Sequence, residues 1–154
     1  MNLNYPLSES SQLALRLAEQ IAKEYSHPCY SADHLLWAIV QEDVGLHALF
    51  HEIDKDPVEL RRWAENRFEK LPKSTRYLSS LSTDDRGTAV LRESDKLCLR
   101  YEELEISPLS ILEALCSPDV GFKSEVIRRL PIALYEVIEW RNSRKNGTNP
   151  DSTN

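Results

Sequence analysis

The feature that most constrains this chain is an internal duplication with an offset of 76 residues. The stretch SADHLLWAIV at 31–40 returns as SPLSILEALC at 107–116, and the tripeptide DVG occurs at both 43–45 and 119–121. Together with Tyr25 and Tyr101, seven identities share this one register, which scattered helical propensity rarely produces. The two halves of the chain are therefore predicted to be copies of one structural unit.

Apolar residues recur at helical spacing through both copies, and the chain has only four glycines to interrupt them. This pattern predicts an all-α fold, with a first helix over about 8–25. Ser31 and Ser107 are placed as N-caps, and Asp56-Pro57-Val58-Glu59 combines a cap, a first-turn proline and a capping-box glutamate. The helix that starts at Pro57 is predicted to reach Leu71. Each copy should then contain four helices, about eight in all.

Composition shifts divide the chain into four segments. Repeat 1 is predicted at 8–71, a linker rich in proline and serine at 72–83, and repeat 2 at 84–145. The polar segment 146–154 is predicted to be a disordered tail, or the start of a linker to further modules.

Charge and hydropathy exclude several classes of protein. A formal net charge of -6 argues against nucleic acid as a partner, and no apolar run approaches the roughly 18 residues of a membrane helix. The N-terminal MNLNYPL lacks the basic and apolar regions of a secretory signal. Three cysteines without a CxxC pair are expected to be free thiols. We expect a cytoplasmic protein without a membrane or nucleic-acid partner.

Asp33 and His34 follow the cap Ser31 by two and three places, and they invite a catalytic interpretation. A carboxylate there is favoured by the helix dipole, so capping is a sufficient role for Asp33. Repeat 2 has Leu109 and Ser110 at the equivalent places, and the sequence places no nucleophile beside the pair. We expect no catalytic residues.

A metal site is a second possibility, because His47 and His51 are four residues apart and Glu52 follows. HEIDK at 51–55 has lysine where a zinc-protease motif needs its second histidine. We expect no metal, although a metal-dependent hydrolase using these three residues remains the alternative from the enzyme class. The chain also lacks the phosphate-binding loop GxxxxGK[ST], so no nucleotide site is predicted.

Leu13 and Leu17 differ from their counterparts in the second copy, which are Ala89 and Glu93. The duplicated core therefore does not demand large apolar side chains at these places. Either the two leucines fill a gap specific to repeat 1, or they line an apolar groove for a partner helix.

With these motifs, the chain resembles the Clp N-terminal domain of Hsp100 AAA+ unfoldases over about residues 8–145. That family carries a tandem repeat whose second helix reads close to [ST]xEHLLxAL, which matches SADHLLWAIV. The junction LPKSTRYLSSLS at 71–82 looks most like that of the ClpV subgroup, the unfoldases of type VI secretion. The resemblance implies a double four-helix repeat that recognises protein substrates.

The ClpV resemblance implies that a groove along the first helix binds a short helix of a contracted-sheath subunit, for extraction by ATPase rings. ClpB-type domains have a cap before the first helix and an acid before the second motif, which Ser8 and Glu103 match. They also carry a glutamate within the second motif and leucines that line a peptide groove, which Leu109, Glu93 and Ser110 do not match. ClpC-type domains carry an acidic residue in both motifs to read phosphorylated arginine, whereas here Asp33 has Leu109 as its counterpart. The predicted groove consists of Leu7, Ser8, Leu13, Leu17, Glu103 and Leu109.

The resemblance also implies that the chain is a binding domain and not itself an enzyme. No cofactor is expected in it, since ATP and magnesium would bind the AAA+ modules of the parent unfoldase. The partner is expected to be a helical sheath peptide, with the domain alone monomeric and the parent hexameric. The alternative is a ClpB- or ClpC-like domain that binds unfolded substrates or an adaptor protein.

Overall fold

The computed structural model describes residues 1–147, and the regular structure in this range is helical, with only isolated bridges between extended segments. The α-helices are α1 (Glu9–Glu24), α2 (Ala32–Ile39), α3 (His47–Glu52), α4 (Pro57–Phe68), α5 (Asp85–Tyr101), α6 (Pro108–Cys116), α7 (Ser124–Ile127) and α8 (Leu134–Gly147), with a 3₁₀ turn at Glu42–Val44. The predicted all-α double repeat is confirmed: α1–α4 form one copy and α5–α8 the other. Across residues 1–147, no helix combines the length and apolar character needed to cross a bilayer.

The predicted cap residues precede their helices, but the Ser31 hydroxyl makes no hydrogen bond among the described residues. The Ser107 hydroxyl accepts the Ser110 N–H at 3.2 Å, and the Asp56 carboxylate accepts the Val58 N–H at 2.9 Å. Helix α4 ends at Phe68, three residues before the predicted Leu71. Pro72 follows Leu71 and disfavours a helical conformation there, so the last residues form a turn.

Helices α2 and α6 form the centre of the molecule. Every residue of α2 except Trp37 is buried, and every residue of α6 except Leu109. A short helix that is covered on all sides must lie between other elements. Helix α1 packs on α2 and α5 packs on α6, while α2 and α6 contact each other across the two copies. One continuous core results.

The segment between α4 and α5 is irregular but is fastened to repeat 1. The Tyr30 N–H donates to the Ser82 carbonyl at 3.1 Å, and the Asp84 N–H donates to the Tyr30 carbonyl at 2.9 Å. The Leu81 N–H donates to Glu19 Oε2 at 2.7 Å. Helix α8 continues to Gly147, two residues beyond the predicted end of repeat 2, and the rest of the predicted tail, 148–154, lies outside the described residues.

Candidate functional site

Asp33 is not the capping residue of α2, which corrects the sequence-based interpretation. Its fully buried carboxylate pairs with Arg67 Nε at 2.6 Å and with the Arg86 guanidinium. Burial acts to raise the pKa of Asp33, but the two guanidinium groups outweigh it and hold the pKa below its usual value. Because Arg67 lies on α4 and Arg86 on α5, the carboxylate joins the two copies.

His34 supplies the capping interaction instead. Its Nδ1 accepts the Ser31 N–H at 2.8 Å, and its Nε2 lies 2.8 Å from His27 Nδ1. Burial, together with the neighbouring His27, lowers the pKa of His34 to about 4. The imidazole is therefore neutral near pH 7. Both of its ring nitrogens are engaged with Ser31 and His27, so its contacts are structural.

Leu7 and Ser8 lie where the two copies meet. Leu7 forms an isolated parallel bridge with Ile106, in which the Ser8 N–H donates to the Ile106 carbonyl at 2.9 Å and the Ile106 N–H donates to the Pro6 carbonyl at 2.8 Å. The Ser8 hydroxyl caps α1 by accepting the Ser11 N–H at 3.1 Å. The structure thus places the segment before α1 beside the segment that connects Glu103 to Leu109.

Leu13 and Leu17 lie four residues apart on α1 and are half-buried against the core. Ala14 and Ala18 are fully buried on the same helix, and their small side chains let α1 approach α2 closely. Both leucines therefore combine packing against the core with some solvent access.

Glu103 takes part in an ion-pair network centred on Arg141 of α8. Arg141 Nη1 lies 2.9 Å from Glu103 Oε2, and its Nε lies 3.1 Å from Glu113 Oε1. The guanidinium carbon also stands 3.9 Å from the centre of the Tyr101 ring. Arg141 and Glu113 are buried, whereas the Glu103 side chain is 32% exposed. Glu103 is the member of the network that a partner could reach.

Glu103 and Leu109 share a cavity of about 330 Å³. Its other walls are Tyr101, Trp140, Arg141 and Arg144. The Trp140 Nε1 atom is buried and has no hydrogen-bond partner among the described residues. The cavity offers an apolar wall next to charged groups, a combination suited to one side chain of a peptide.

Sequence reasoning did not include Tyr101, Trp140 and Arg144 in the site. Trp140 and Tyr101 occur at the helical spacing that is typical of core residues. The sequence therefore does not indicate that part of each side chain lines a cavity. Arg144 stacks over Trp140 with its guanidinium carbon 4.9 Å from the ring centre, a contact within one helix whose spacing gives no indication of a cavity.

The histidines considered for metal binding do not converge with a third ligand. His47 Nε2 lies 3.1 Å from the Val40 carbonyl, and His51 is exposed on α3. Within residues 1–147, no cluster of three histidine, cysteine or carboxylate side chains could hold a metal ion.

The chain is similar to known proteins both in sequence pattern and in fold. The Clp repeat (R) N-terminal domain family model matches residues 6–129. No curated protein sequence matches the chain significantly. Among solved structures, the Hsp104 N-terminal domain from Candida albicans aligns with a TM-score of 0.73 at 15% identity, over 90% of this chain and 93% of that one.

Two further structures are N-domains of ClpV. That from Vibrio cholerae aligns with a TM-score of 0.68 at 20% identity, over 90% of this chain and 81% of that one. A complex of a ClpV N-domain with a VipB peptide aligns with a TM-score of 0.62 at 20% identity, over 93% and 84%. At these identities the similarity shows a shared fold. With the family model matching most of its length, this chain belongs to the Clp repeat N-terminal domain family.

Proposed function

We propose that this chain is the substrate-recognition domain of a ClpV-like AAA+ unfoldase. It binds a short helix of a contracted type VI secretion sheath subunit, which the parent protein then extracts with energy from ATP. The chain supplies binding and no chemistry of its own. ATP and magnesium belong to the AAA+ modules of the parent, which acts as a hexamer in the cytoplasm.

The observation that carries this proposal is the accessible apolar surface on α1 and on the otherwise buried α6. Leu109 is the one residue of α6 that is not buried, and Leu13 and Leu17 are half-buried on α1. An amphipathic helix binds such a surface through apolar side chains three or four residues apart. The Leu7–Ile106 bridge supports a single groove, because it holds the start of α1 against the segment that leads into α6.

The comparisons support a peptide as the ligand. A ClpV N-domain of the same fold has been solved with a VipB peptide, and its alignment covers 93% of this chain. In the groove proposed here, Leu7, Leu13, Leu17 and Leu109 contact the apolar face of the peptide. Glu103 and Ser8 lie at the polar edge of this groove.

A second candidate is a general recognition domain for unfolded chains or an adaptor protein, as in ClpB- or ClpC-like unfoldases. It is favoured by the alignment with the Hsp104 N-terminal domain, which has the higher TM-score of 0.73 and covers 93% of that chain. The preferred ligand separates the two candidates: a sheath helix for the first, an extended apolar chain or an adaptor for the second.

The test is a fluorescence-anisotropy titration of a labelled peptide from the N-terminus of a type VI sheath subunit. Leu13→Ala, Leu17→Ala and Leu109→Ala should each weaken binding by about tenfold, since an anchor leucine contributes about 1 to 3 kcal/mol. Leu99→Ala is the matched control, because this α5 leucine is 73% exposed and lies outside the proposed groove. It should leave the affinity unchanged.

Thermal melts of the same variants separate binding from packing. The Leu13 and Leu17 variants should lose less than the roughly 2 to 5 kcal/mol of a fully buried leucine, because both side chains keep solvent access. Unchanged affinity together with a large loss of stability would make these leucines part of the core and contradict the site. Tight binding of reduced, carboxymethylated lactalbumin without binding of the sheath peptide would favour the second candidate.

A further inference from the structure

A second cavity lies away from the proposed groove, between the end of α1 and the segment that joins the repeats. It has a volume of about 220 Å³. Its lining combines an apolar wall of Tyr77, Leu78 and Leu81 with polar groups. The polar groups are the cations Lys23 and Arg76, the hydroxyls of Ser26, Ser74 and Thr75, and the imidazole of His27. The proposed peptide groove uses none of these side chains.

The His27–His34 pair fixes which nitrogen of His27 carries a proton. Because His34 Nδ1 accepts the Ser31 N–H, neutral His34 has its proton on Nε2 and donates it to His27 Nδ1 at 2.8 Å. Neutral His27 must then carry its own proton on Nε2. The pair as a whole presents one N–H donor at its outer end.

That donor has no partner. His27 is 3% exposed, and its buried Nε2 makes no hydrogen bond within the described residues. The nearby Phe68 carbonyl raises the pKa of His27, without completing a hydrogen bond to Nε2, while burial lowers that pKa more strongly. A buried donor without an acceptor costs free energy, so an acceptor in the cavity would stabilise this arrangement.

The charges around the cavity favour an anion as that acceptor. Arg76 pairs with no carboxylate in the described part of the chain, so its guanidinium fork is available. Lys23 is the second cation of the lining, and its Nζ donates to the Ser79 carbonyl at 2.5 Å. Lys73 is also close enough to lower the pKa of His27. Glu19, at 3.5 Å from Lys23, offsets part of this positive charge.

We propose that this cavity binds a phosphate group, either as free phosphate or as a phosphate monoester on a partner molecule. Arg76 supplies the bidentate contact, Lys23 a point charge, and the hydroxyls of Ser26 and Thr75 supply neutral donors, whereas the Ser74 hydroxyl donates to the Arg76 carbonyl at 3.3 Å. His27 lines the cavity and contributes its buried Nε2–H as a further donor. The backbone N–H of Arg76 already donates to Ser74 Oγ at 3.1 Å, which shapes the loop around the anion.

The experiment follows the four histidines of the full chain by NMR while sodium phosphate is added at constant ionic strength and pH 7.5. The ring signals of His27 and His34 should shift and saturate, whereas those of His47 and His51 on α3 should not move. Sodium chloride is the control for non-specific screening. A parallel titration with O-phosphoserine, with serine as its control, identifies the source: tighter binding than free phosphate indicates a phosphorylated partner, and equal binding indicates the free ion.

Two variants test the assignment of the site. Arg76→Gln removes an exposed cation and should weaken phosphate binding about tenfold, as expected for loss of a charge-assisted contact. Arg92→Gln, an exposed arginine of α5, should leave binding unchanged. Thr75→Val should weaken binding without loss of charge. Absence of saturable shifts at His27, or equal binding by wild type and Arg76→Gln, would overturn the proposal.

Discussion

The Asp33 carboxylate is enclosed by two arginines that come from different copies of the repeat. Its side chain is fully buried, while those of Arg67 and Arg86 are 22% and 34% exposed. Asp33→Asn should lower the free energy of unfolding by about 2 to 3 kcal/mol. This is less than the roughly 3 to 5 kcal/mol for a fully buried pair, because water reaches both guanidinium groups. Urea denaturation of the wild type and of Asp33→Asn at pH 7 measures this loss in the free energy of unfolding.

The exposed pair between Arg61 and Glu65 is the control for Asp33. Its atoms lie 3.9 Å apart and both side chains are more than a third exposed, so Arg61→Ala should cost less than about 1 kcal/mol. Equal costs for the two variants would mean that Asp33 does not hold the copies together.

The interpretation of Asp33 as a capping residue failed for a physical reason. The helix dipole acts within one turn, so a sequence pattern can identify a carboxylate near a helix start. The actual partners are 34 and 53 residues away. Only the packing of α4 and α5 against α2 brings them to Asp33, and no local pattern encodes that packing.

His34 makes stability depend on pH. Its pKa is about 4 in the folded chain against 6.5 for an unperturbed histidine, so the unfolded state binds the proton more tightly. The contribution is fully present above pH 6.5 and is lost as pH falls from 6.5 towards 4. From pH 7 to pH 5 the free energy of unfolding should fall by about 2 kcal/mol from this residue. Burial shifts the pKa of His27 in the same direction.

Denaturant titrations at pH 7 and pH 5 test this dependence. His51→Gln removes an exposed histidine and should leave the pH dependence of stability unchanged, whereas His34→Gln should reduce that dependence. Equal slopes of stability against pH in wild type and His34→Gln would contradict the prediction.

At the scale of elements, each copy of the tripeptide DVG ends in a glycine, and these two glycines have different roles. Gly45 closes the 3₁₀ turn with a φ of 99°, a left-handed conformation, and a Cβ there would meet open space. A Cβ on Gly121 would lie 2.5 Å from Val90 Cγ2 and 2.9 Å from Ala32 Cβ. Gly45 is needed for its backbone conformation, and Gly121 for the close approach of α2 and α5.

The two glycines should therefore respond differently to substitution. Gly121→Ala should lower the free energy of unfolding by about 1 to 3 kcal/mol through overpacking, and Gly121→Asn by more. Gly45→Ala should cost about 1 kcal/mol, and Gly45→Asn less, because asparagine tolerates the left-handed conformation. Thermal melts of the four variants check this. A Gly121→Asn variant as stable as Gly45→Asn would contradict the prediction.

Helix starts were the most predictable elements, because a cap acts on the two or three residues that follow it. Ser107, Asp56 and the prolines after them could be identified from the sequence alone. The duplication likewise predicted eight helices. What the sequence did not reveal was which positions of the covered helices keep solvent access, since Leu109 resembles its buried neighbours in α6. The candidate site was therefore predicted as a residue set, without the cavity beside Trp140.

At the scale of the whole molecule, three sets of contacts tie the two copies into one structure. They are the Leu7–Ile106 bridge, the Asp33–Arg86 pair and the hydrogen bonds that the N–H groups of Asn4 and Tyr5 donate to Asp95 at 2.9–3.1 Å. Helix α2 also packs on both α5 and α6. The copies share one core, so neither should be stable without the other.

Cleavage of the segment between the copies tests this shared core. A site-specific protease sequence placed at 75–78, where the chain is exposed, can be cut without breaking a helix. The two fragments should remain associated at the 17.7 kDa of the intact chain in size-exclusion chromatography and should melt in one transition. The melting temperature should fall and become dependent on concentration, because cleavage makes association of the copies bimolecular. The uncut chain with the same inserted sequence is the control. Separate elution of the fragments, or two transitions, would show that each repeat folds independently.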